Sequence, residues 1–423
     1  MNKTKNAISE QDRLLEIQAR LSGQSRGTDI VTIVITLAVI FALGAAIFIM
    51  PDAEFSEQEN RYLQQFPKIQ SNYSGNIFER IAAGKFLDRL VDGDFTAEMA
   101  DYYSDQFPMR DMFVGIKGIA ESALLKQENN GVVIGSDGYI ISRTDYPDMG
   151  TVKKNPDAIT AFASDISGMG IPFTAAIAGR SVDVLGDKLP PLFPHYRTDN
   201  VWNGFESMIA DAPMNYLSLR DKLTDLNASG DTPQLYYRTD HHWTSWGAYY
   251  AYRELAATMG FEPLPESALT AELVSDEFYG TTWSSAGLKW IKPDEMHFLR
   301  YDGDTEYTTT IEDTGVSFAG FYDREFLTKK DKYSAFISGN NAVVRVTKNG
   351  AENREKLFVI KDSFAHSVVP FLAYNYDLVI IDPRYYKLSA VKLAADEAVD
   401  GVLLLCNMAS MSETYVFGTL LFK

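Results

Sequence analysis

The chain has 423 residues, of which 46% are hydrophobic and 13% aromatic. This composition argues against a disordered protein and allows one large domain or two ordinary ones. The formal net charge of −18 argues against a nucleic-acid partner, because phosphate backbones need clustered Lys and Arg. The single cysteine, Cys406, lies in the apolar run GVLLLCN, which predicts a buried core thiol.

The N-terminal region predicts a transmembrane helix. Residues 29–50 are almost entirely apolar, and as a helix they span about 33 Å, enough for a bilayer core. Basic residues precede this run and acidic residues follow it, so residues 1–28 are expected in the cytoplasm and the rest outside. A cleaved signal peptide is the alternative, but the length of the run and its bulky end, IFIMP, favour an uncleaved single-pass anchor.

The next segment, residues 51–125, is expected to form a helical juxtamembrane collar. Its first part, SEQENRYLQQFP, places Ser56 three residues before Glu59, which predicts a capping box. Apolar residues then recur near every third or fourth position, which is the period of a helix.

Residues 126–423 have the pattern of an α/β domain. NGVVIGSDGYIIS predicts a β-hairpin that turns at residues 136–138, QLYYRTDHHW predicts a strand, and residues 245–259 predict a helix ended by Gly260. Three apolar runs near the C-terminus, EKLFVI, YDLVII and GVLLLC, have the character of parallel strands covered by helices on both faces. The region near 270–350 is expected to be a β-rich insertion.

The stretch YYRTDHHWTSWGAYYAY contains two of the five histidines and the first candidate catalytic residues. In an extended chain, Asp240 and His242 share a face and His241 points away. An aspartate beside a histidine can orient the imidazole, as in a Ser-His-Asp triad. A metal site is an alternative, although no Cys cluster or His-x-x-x-His spacing is present. Simple packing of the histidines behind a helix cap is another.

The candidate nucleophile is Ser363, in the run LFVIKDSFAHSVVPFLA. A serine at a turn between a buried strand and a helix presents its hydroxyl at the carboxyl end of a sheet, where α/β folds carry their chemistry. Asp and Ser are also ordinary helix caps, which is the structural alternative. His366, one turn after Ser363, is an alternative base to His242.

Several blocks along the ectodomain resemble the DHHW protein family. They run in order through FSEQENRYLQQFP, DQFPMRD, ENNGVVIGSDGY, TDHHWTSWGAYYAYRELAATMG, EFYGTTWSSAG, DKYSAFISGNN, KDSFAHSVVPFLA and IDPRYY. This family is similar to the alginate O-acetyltransferases. The resemblance implies an SGNH-hydrolase-like three-layer α/β/α ectodomain in which Asp240, His242 and Ser363 form the triad. The chain departs from the alginate enzymes by having Lys361 where a glycine is usual, and His241 between the pair.

The resemblance also implies a set of oxyanion or substrate-binding candidates: Arg384, Asn340, Asn341, Asn407 and Trp243. The expected function is a membrane-anchored, extracytoplasmic O-acetyltransferase that acts on a cell-surface polysaccharide through an acetyl-serine intermediate. A multipass membrane O-acyltransferase is the expected acetyl donor, and no metal or cofactor is expected. A carbohydrate acetyl esterase with the same triad, and a non-catalytic polysaccharide-binding or assembly protein, are the alternatives.

Overall fold

The computed structural model describes residues 10–56, 59, 61–68, 78–79, 86–143, 149–194, 196–412 and 415–421. Residues 1–9, which carry part of the expected N-terminal positive charge, and His195 lie outside the described residues. Fifteen strands are found in this part of the chain: β1 Phe55–Ser56, β2 Arg61–Tyr62, β3 Glu128–Asn129, β4 Val132–Ile134, β5 Ile140–Ser142, β6 Phe173–Ala178, β7 Asn215–Ser218, β8 Thr270–Phe278, β9 Asp294–Arg300, β10 Tyr307–Ile311, β11 Val316–Ala319, β12 Val343–Lys348, β13 Lys356–Lys361, β14 Asp377–Ile381 and β15 Gly401–Asn407.

The α-helices of the described residues alternate with many of these strands. They are Glu10–Ile49, Phe86–Asp92, Asp94–Asp105, Arg110–Ala123, Met149–Gly168, Ser181–Val184, Tyr196–Ile209, Leu219–Ser229, Ser245–Met259, Thr281–Ala286, Val369–Asn375, Ala390–Asp396 and Met408–Ser412. Short 3-10 helices span Gly186–Lys188, Glu266–Ala268, Arg324–Thr328, Lys332–Ala335, Ser363–Ser367 and Phe417–Leu421. The chain divides into two compact units, residues 1–56 with 61–114, and residues 57–60 with 115–423.

The first unit begins with a 40-residue helix, Glu10–Ile49. Its segment Gly27–Ile49 has 23 residues and is long and apolar enough to cross a membrane, and its side chains are largely exposed. This segment fits the single-pass anchor expected for residues 29–50.

The prediction of a helix that begins at Ser56 is wrong. Phe55 and Ser56 instead pair with Tyr62 and Arg61 in a short antiparallel hairpin. Asp105, at the end of a helix, fixes the second strand of this hairpin, because its carboxylate accepts hydrogen bonds from Arg61 and from the backbone N–H of Gln64. Local ion pairing and strand pairing therefore prevail here over the capping pattern.

The second unit contains an eight-stranded sheet with the order β11-β10-β12-β14-β13-β15-β6-β7. The strands from β14 to β7 are parallel, and β12, β10 and β11 extend the sheet on one side with antiparallel pairing. The region near 270–350 thus contributes three strands to the main sheet, while β8 and β9 form a separate two-stranded sheet.

Both faces of the four strands β14, β13, β15 and β6 are buried, as their unbroken apolar sequences predict. In β13, Leu357 and Val359 pack in one core, and Phe358 and Ile360 pack in the other. The helix Ser245–Met259 contributes to the first core and the helix Met149–Gly168 to the second. The expected three-layer α/β/α fold is therefore confirmed, and Cys406 is a buried thiol within it.

Two local predictions are also confirmed. β4 and β5 form an antiparallel hairpin, and Asp137 and Gly138 turn the chain with φ angles of 55° and 80°. The helix Ser245–Met259 begins after Thr244, whose hydroxyl accepts a hydrogen bond from Gly247 N, and ends before Gly260 with φ 82°. This helix directly follows the Asp-His-His loop and fixes the position of the last residues of the loop.

Candidate active site

The candidate nucleophile lies at the carboxyl end of the parallel sheet. β13 ends at Lys361, Asp362 follows, and Ser363 begins a short 3-10 helix. Asp362 caps this helix, because its side chain accepts a hydrogen bond from Phe364 N at 2.9 Å. The strand therefore places Ser363 at the carboxyl end of the sheet, where α/β folds carry their active sites.

A continuous hydrogen-bonded chain joins Ser363 to the Asp-His-His loop, 121 residues away in sequence. His242 Nε2 lies 2.7 Å from Ser363 Oγ, and His242 Nδ1 lies 2.6 Å from Asp240 Oδ1. Because a carboxylate only accepts hydrogen bonds, the Nδ1–H donates to Asp240 and the Nε2 lone pair faces the serine hydroxyl. This arrangement can remove a proton from Ser363 as the hydroxyl attacks a carbonyl carbon.

The loop that carries Asp240 and His242 is not the expected strand. Only an isolated bridge joins Tyr236 and Trp243, and the intervening residues form bends. Asp240 Oδ1 also accepts a hydrogen bond from His242 N at 2.9 Å, so a tight local turn brings the two residues together. The prediction that His241 points away is wrong, since its ring lies 3.8 Å from that of His242 between centroids.

Thr281 holds Asp240 from the other side. Asp240 Oδ2 accepts hydrogen bonds from Thr281 N at 2.7 Å and from Thr281 Oγ1 at 3.1 Å. Burial alone would raise the pKa of Asp240, but His241, His242 and the hydrogen bonds from His242 hold it below its ordinary value. Asp240 therefore remains an anion that can orient His242 and stabilise its protonated form.

A second buried carboxylate, Asp294, anchors the start of the loop. It accepts hydrogen bonds from Arg238 N, Thr239 N and Thr239 Oγ1 at 3.0, 2.8 and 2.7 Å. The sequence patterns did not predict a role for Asp294 or Thr281. The contacts of Asp294 with Thr239 and of Thr281 with Asp240 join segments that are far apart in the chain. The block EFYGTTWSSAG, which contains Thr281, was the only available signal.

Asp362 ties the nucleophile turn to the neighbouring strand. Its Oδ2 accepts hydrogen bonds from Asn407 N, Asn407 Nδ2 and Ser410 Oγ at 2.7, 2.6 and 2.7 Å. The side-chain amide of Asn407, an expected oxyanion candidate, is thus directed at Asp362. In this geometry Asn407 positions the turn through Asp362.

Lys361 fits the turn without the glycine that is usual at this position. Neither Lys361 nor its two successors has a positive φ among the described residues. Its fully buried side chain leaves the turn, and its Nζ lies 2.7 Å from His366 Nε2 and 3.1 Å from Asp382 Oδ2. His366 Nε2 therefore faces Lys361 and not Ser363, so the geometry favours His242 as the base.

Three more of the expected binding residues, Arg384, Asn340 and Asn341, lie in two environments. Arg384 is held by Asp382 at 2.6 Å and reaches Asn340 Oδ1 at 2.9 Å. The side chain of Asn341 donates to the backbone carbonyl of Ser338 at 3.1 Å. These side chains hydrogen-bond to Asp382, to one another or to the backbone, and none makes a hydrogen bond to Asp240, His242 or Ser363 within the described chain.

Trp243 packs against the turn that follows Ser363, and Tyr333 packs against the His242 ring. Trp243 is fully buried, and its Nε1 donates to Phe364 O at 2.9 Å and to Ser367 Oγ at 3.0 Å. Its ring therefore packs in the core and offers no face to a ligand. Tyr333 stacks on the His242 ring at 3.9 Å with an angle of 8°. In the sequence, Tyr333 is marked only by its place in DKYSAFISGNN, one of the blocks that resemble the DHHW family.

Asp240, His241 and His242 are the described residues whose ligand atoms group as a metal site would require, within 4.8 Å. Their atoms already bond to one another and to protein hydroxyls, since His241 Nδ1 lies 2.7 Å from Thr281 Oγ1. A metal bound through His242 would displace its bond to either Asp240 or Ser363. The arrangement is better suited to proton transfer.

The fold is a three-layer α/β/α arrangement in which Asp240, His242 and Ser363 meet at the carboxyl end of the parallel strands. Residues 212–382 match the family model described as DHHW protein. A solved DHHW family protein from Eubacterium siraeum is 23% identical, with a TM-score of 0.58, and the match covers 69% of this chain and 95% of that one. The resemblance to the DHHW family is thereby confirmed.

Other known proteins share the fold or part of the sequence. PatB1 of Bacillus cereus, solved with a sulfonyl adduct, is 17% identical, with a TM-score of 0.57 over 69% of this chain and 97% of that one. The probable alginate O-acetylase AlgJ of Azotobacter vinelandii is 22% identical over 183 residues, 42% of this chain and 46% of that protein. This chain thus spans about half the length of the curated relatives it matches.

Proposed function

We propose that this chain is a membrane-anchored, extracytoplasmic O-acetyltransferase that acts on a cell-surface polysaccharide. The observation that carries the proposal is the hydrogen-bonded chain from Asp240 through His242 to Ser363. The relatives named probable alginate O-acetylase support acetyl transfer to a polysaccharide. The apolar segment Gly27–Ile49 supports the anchor.

The first half-reaction acetylates Ser363. The hydroxyl oxygen attacks the carbonyl carbon of an acetyl donor while His242 Nε2 takes the hydroxyl proton. Asp240 stabilises the resulting imidazolium, and the Ser363 N–H donates to the developing oxyanion. The leaving group then takes the proton from His242, which leaves acetyl-Ser363 and restores the neutral imidazole.

The second half-reaction transfers the acetyl group to a sugar. A sugar hydroxyl gives its proton to His242 and its oxygen attacks the acetyl carbonyl. The bond from the carbonyl carbon to Ser363 Oγ breaks, and Ser363 recovers a proton from His242. The expected acetyl donor is a multipass O-acyltransferase in the same membrane.

The test measures acetylation of Ser363 by a nitrophenyl acetate in the detergent-solubilised full-length chain. The wild type is expected to release nitrophenol and gain one acetyl group in intact mass, with the peptide containing Ser363 modified. Ser363→Ala should lose both signals. Asp240→Asn should slow acetylation by on the order of 10⁴-fold, because the imidazole is held in the wrong tautomer.

A matched variant and an added acceptor complete this experiment. Ser164→Ala, on an exposed helical face, should behave as the wild type. An acetyl shift that persists in Ser363→Ala would overturn the assignment of the nucleophile. An oligosaccharide that accelerates turnover and becomes acetylated identifies a transferase, whereas turnover by water alone identifies an acetyl esterase.

A further inference from the structure

His241 has no part in the proposed triad, yet it lies beside it. Its ring centroid is 3.8 Å from that of His242 and 6.0 Å from that of Phe364, the residue after the nucleophile. The His241 side chain is 31% exposed, whereas those of Asp240 and His242 are 2% and 7% exposed. His241 is thus the histidine of this pair that a ligand can reach.

The hydrogen bonds of Thr281 fix which nitrogen of His241 carries the proton. Thr281 Oγ1 lies 3.1 Å from Asp240 Oδ2 and 2.7 Å from His241 Nδ1. The carboxylate has no proton to give, so the hydroxyl proton must lie between Thr281 and Asp240 to avoid opposing lone pairs. Thr281 Oγ1 then accepts from His241, which requires an Nδ1–H.

The other nitrogen of His241 is consequently an acceptor. A neutral imidazole has one N–H, so Nε2 carries a lone pair when Nδ1 is protonated. Burial and then the neighbouring His242 lower the pKa of His241, although Asp240 opposes this shift, so the ring remains neutral near pH 7. No hydrogen bond from another described residue reaches His241 Nε2.

We propose that His241 Nε2 binds the acyl acceptor, by accepting a hydrogen bond from the hydroxyl next to the one that attacks acetyl-Ser363. The inference rests on the proposed function and defines its substrate class, a saccharide with free hydroxyls on two neighbouring carbons. The attacking hydroxyl gives its proton to His242, and its oxygen forms the new ester bond. The second hydroxyl keeps its proton and fixes the orientation of the sugar.

Two variants of His241 separate this role from a structural one. In His241→Asn the side-chain amide nitrogen can replace Nδ1 and still donate to Thr281, but no atom replaces Nε2. In His241→Gln the distal amide oxygen can replace the Nε2 acceptor, while the donor to Thr281 is lost. A residue that only supports Asp240 would therefore tolerate Asn better than Gln, and an acceptor-binding residue would tolerate Gln better than Asn.

The experiment forms acetyl-Ser363 with a nitrophenyl acetate in the full-length chain and then adds a methyl hexopyranoside or its 3-deoxy analogue, in which no two neighbouring carbons carry free hydroxyls. The wild type should transfer faster to the diol by about five- to tenfold, the effect of one hydrogen bond. His241→Asn should lose this preference, measured as the ratio of the two transfer rates in the same variant, so that any change in the rate of acetyl-Ser363 formation cancels. His241→Gln should keep part of it.

The possible failures are distinguishable. Acetyl-Ser363 that forms normally, with an unchanged diol preference in His241→Asn, overturns the role of His241 and leaves the proposed function intact. Equal loss of acetylation and transfer in His241→Asn also overturns it, because that pattern belongs to a structural residue. A wild type that never forms acetyl-Ser363 overturns the proposed function and this inference together.

Discussion

At the scale of single residues, the buried pair Lys361 and His366 shows how the candidate site accommodates a lysine two residues before Ser363. The Lys361 ammonium donates to His366 Nε2 and Asp382 Oδ2, so it has partners for its charge even though it is fully buried. Burial and then the charge of Lys361 lower the pKa of His366 well below its ordinary value. His366 is therefore neutral in the folded protein.

This neutrality predicts a dependence of stability on pH. Below about pH 6.5 the unfolded chain binds a proton at His366 that the folded chain rejects, so stability falls as the pH falls. The contribution of this one group has a slope of up to about 1.4 kcal/mol per pH unit. Denaturant unfolding at pH 7.5 and 5.5 should show a smaller pH effect for His366→Gln, which keeps an acceptor for Lys361. An unchanged pH effect in that variant would exclude His366 as its source.

At the scale of secondary-structure elements, the helix Thr281–Ala286 determines where Asp240 sits. The residue before it, Gly280, approaches Asp240 so closely that an added Cβ would lie 2.2 Å from both Asp240 Cβ and Oδ2. The φ of Gly280 is −83°, so close packing and not an unusual backbone conformation requires glycine here. The helix and the Asp-His-His loop therefore fit only when this position has no side chain.

Gly280→Ala should consequently displace Asp240 and slow acetylation of Ser363, while Gly204→Ala should not. Overpacking at such a contact costs about 1–3 kcal/mol of stability. Gly204 lies in the helix Tyr196–Ile209 with open space around it, and alanine there should stabilise the helix by about 0.5–1 kcal/mol. Thermal unfolding and the nitrophenyl acetate rate measure both effects. A Gly280→Ala variant with wild-type rate would show that this contact does not position the carboxylate.

The elements that sequence could predict are those with a local cause. The turn at Asp137–Gly138 needs positive φ angles, and the helix that ends at Gly260 has a cap at each end. The Asp-His-His loop could not be predicted in this way, because its conformation depends on the distant residues Asp294 and Thr281. The pairing of Asp240 with His242 was correctly expected, but the strand geometry given as its reason was not.

At the scale of the whole molecule, apolar runs predicted the buried strands and hence the three-layer fold. They could not predict that β15 lies between β13 and β6, since strand order depends on long-range pairing. That order is nevertheless what places Asn407 beside Asp362 and completes the nucleophile turn. The sequence likewise did not predict that the main sheet includes β10, β11 and β12, because the pattern of this region suggested a separate insertion.

The apolar N-terminal helix is expected to hold the chain at the membrane. The segment Gly27–Ile49 of the N-terminal helix is about 34 Å long, enough to span a bilayer core, and the basic residues before it favour a cytoplasmic N-terminus. The full chain should stay in the membrane fraction until detergent is added, and a chain that begins at residue 51 and carries an export signal should be released. A C-terminal tag should be cut by external protease in cells without an outer barrier. Protection of the tag would reverse the proposed orientation, and a shortened soluble form of the full chain would identify the apolar segment as a cleaved signal.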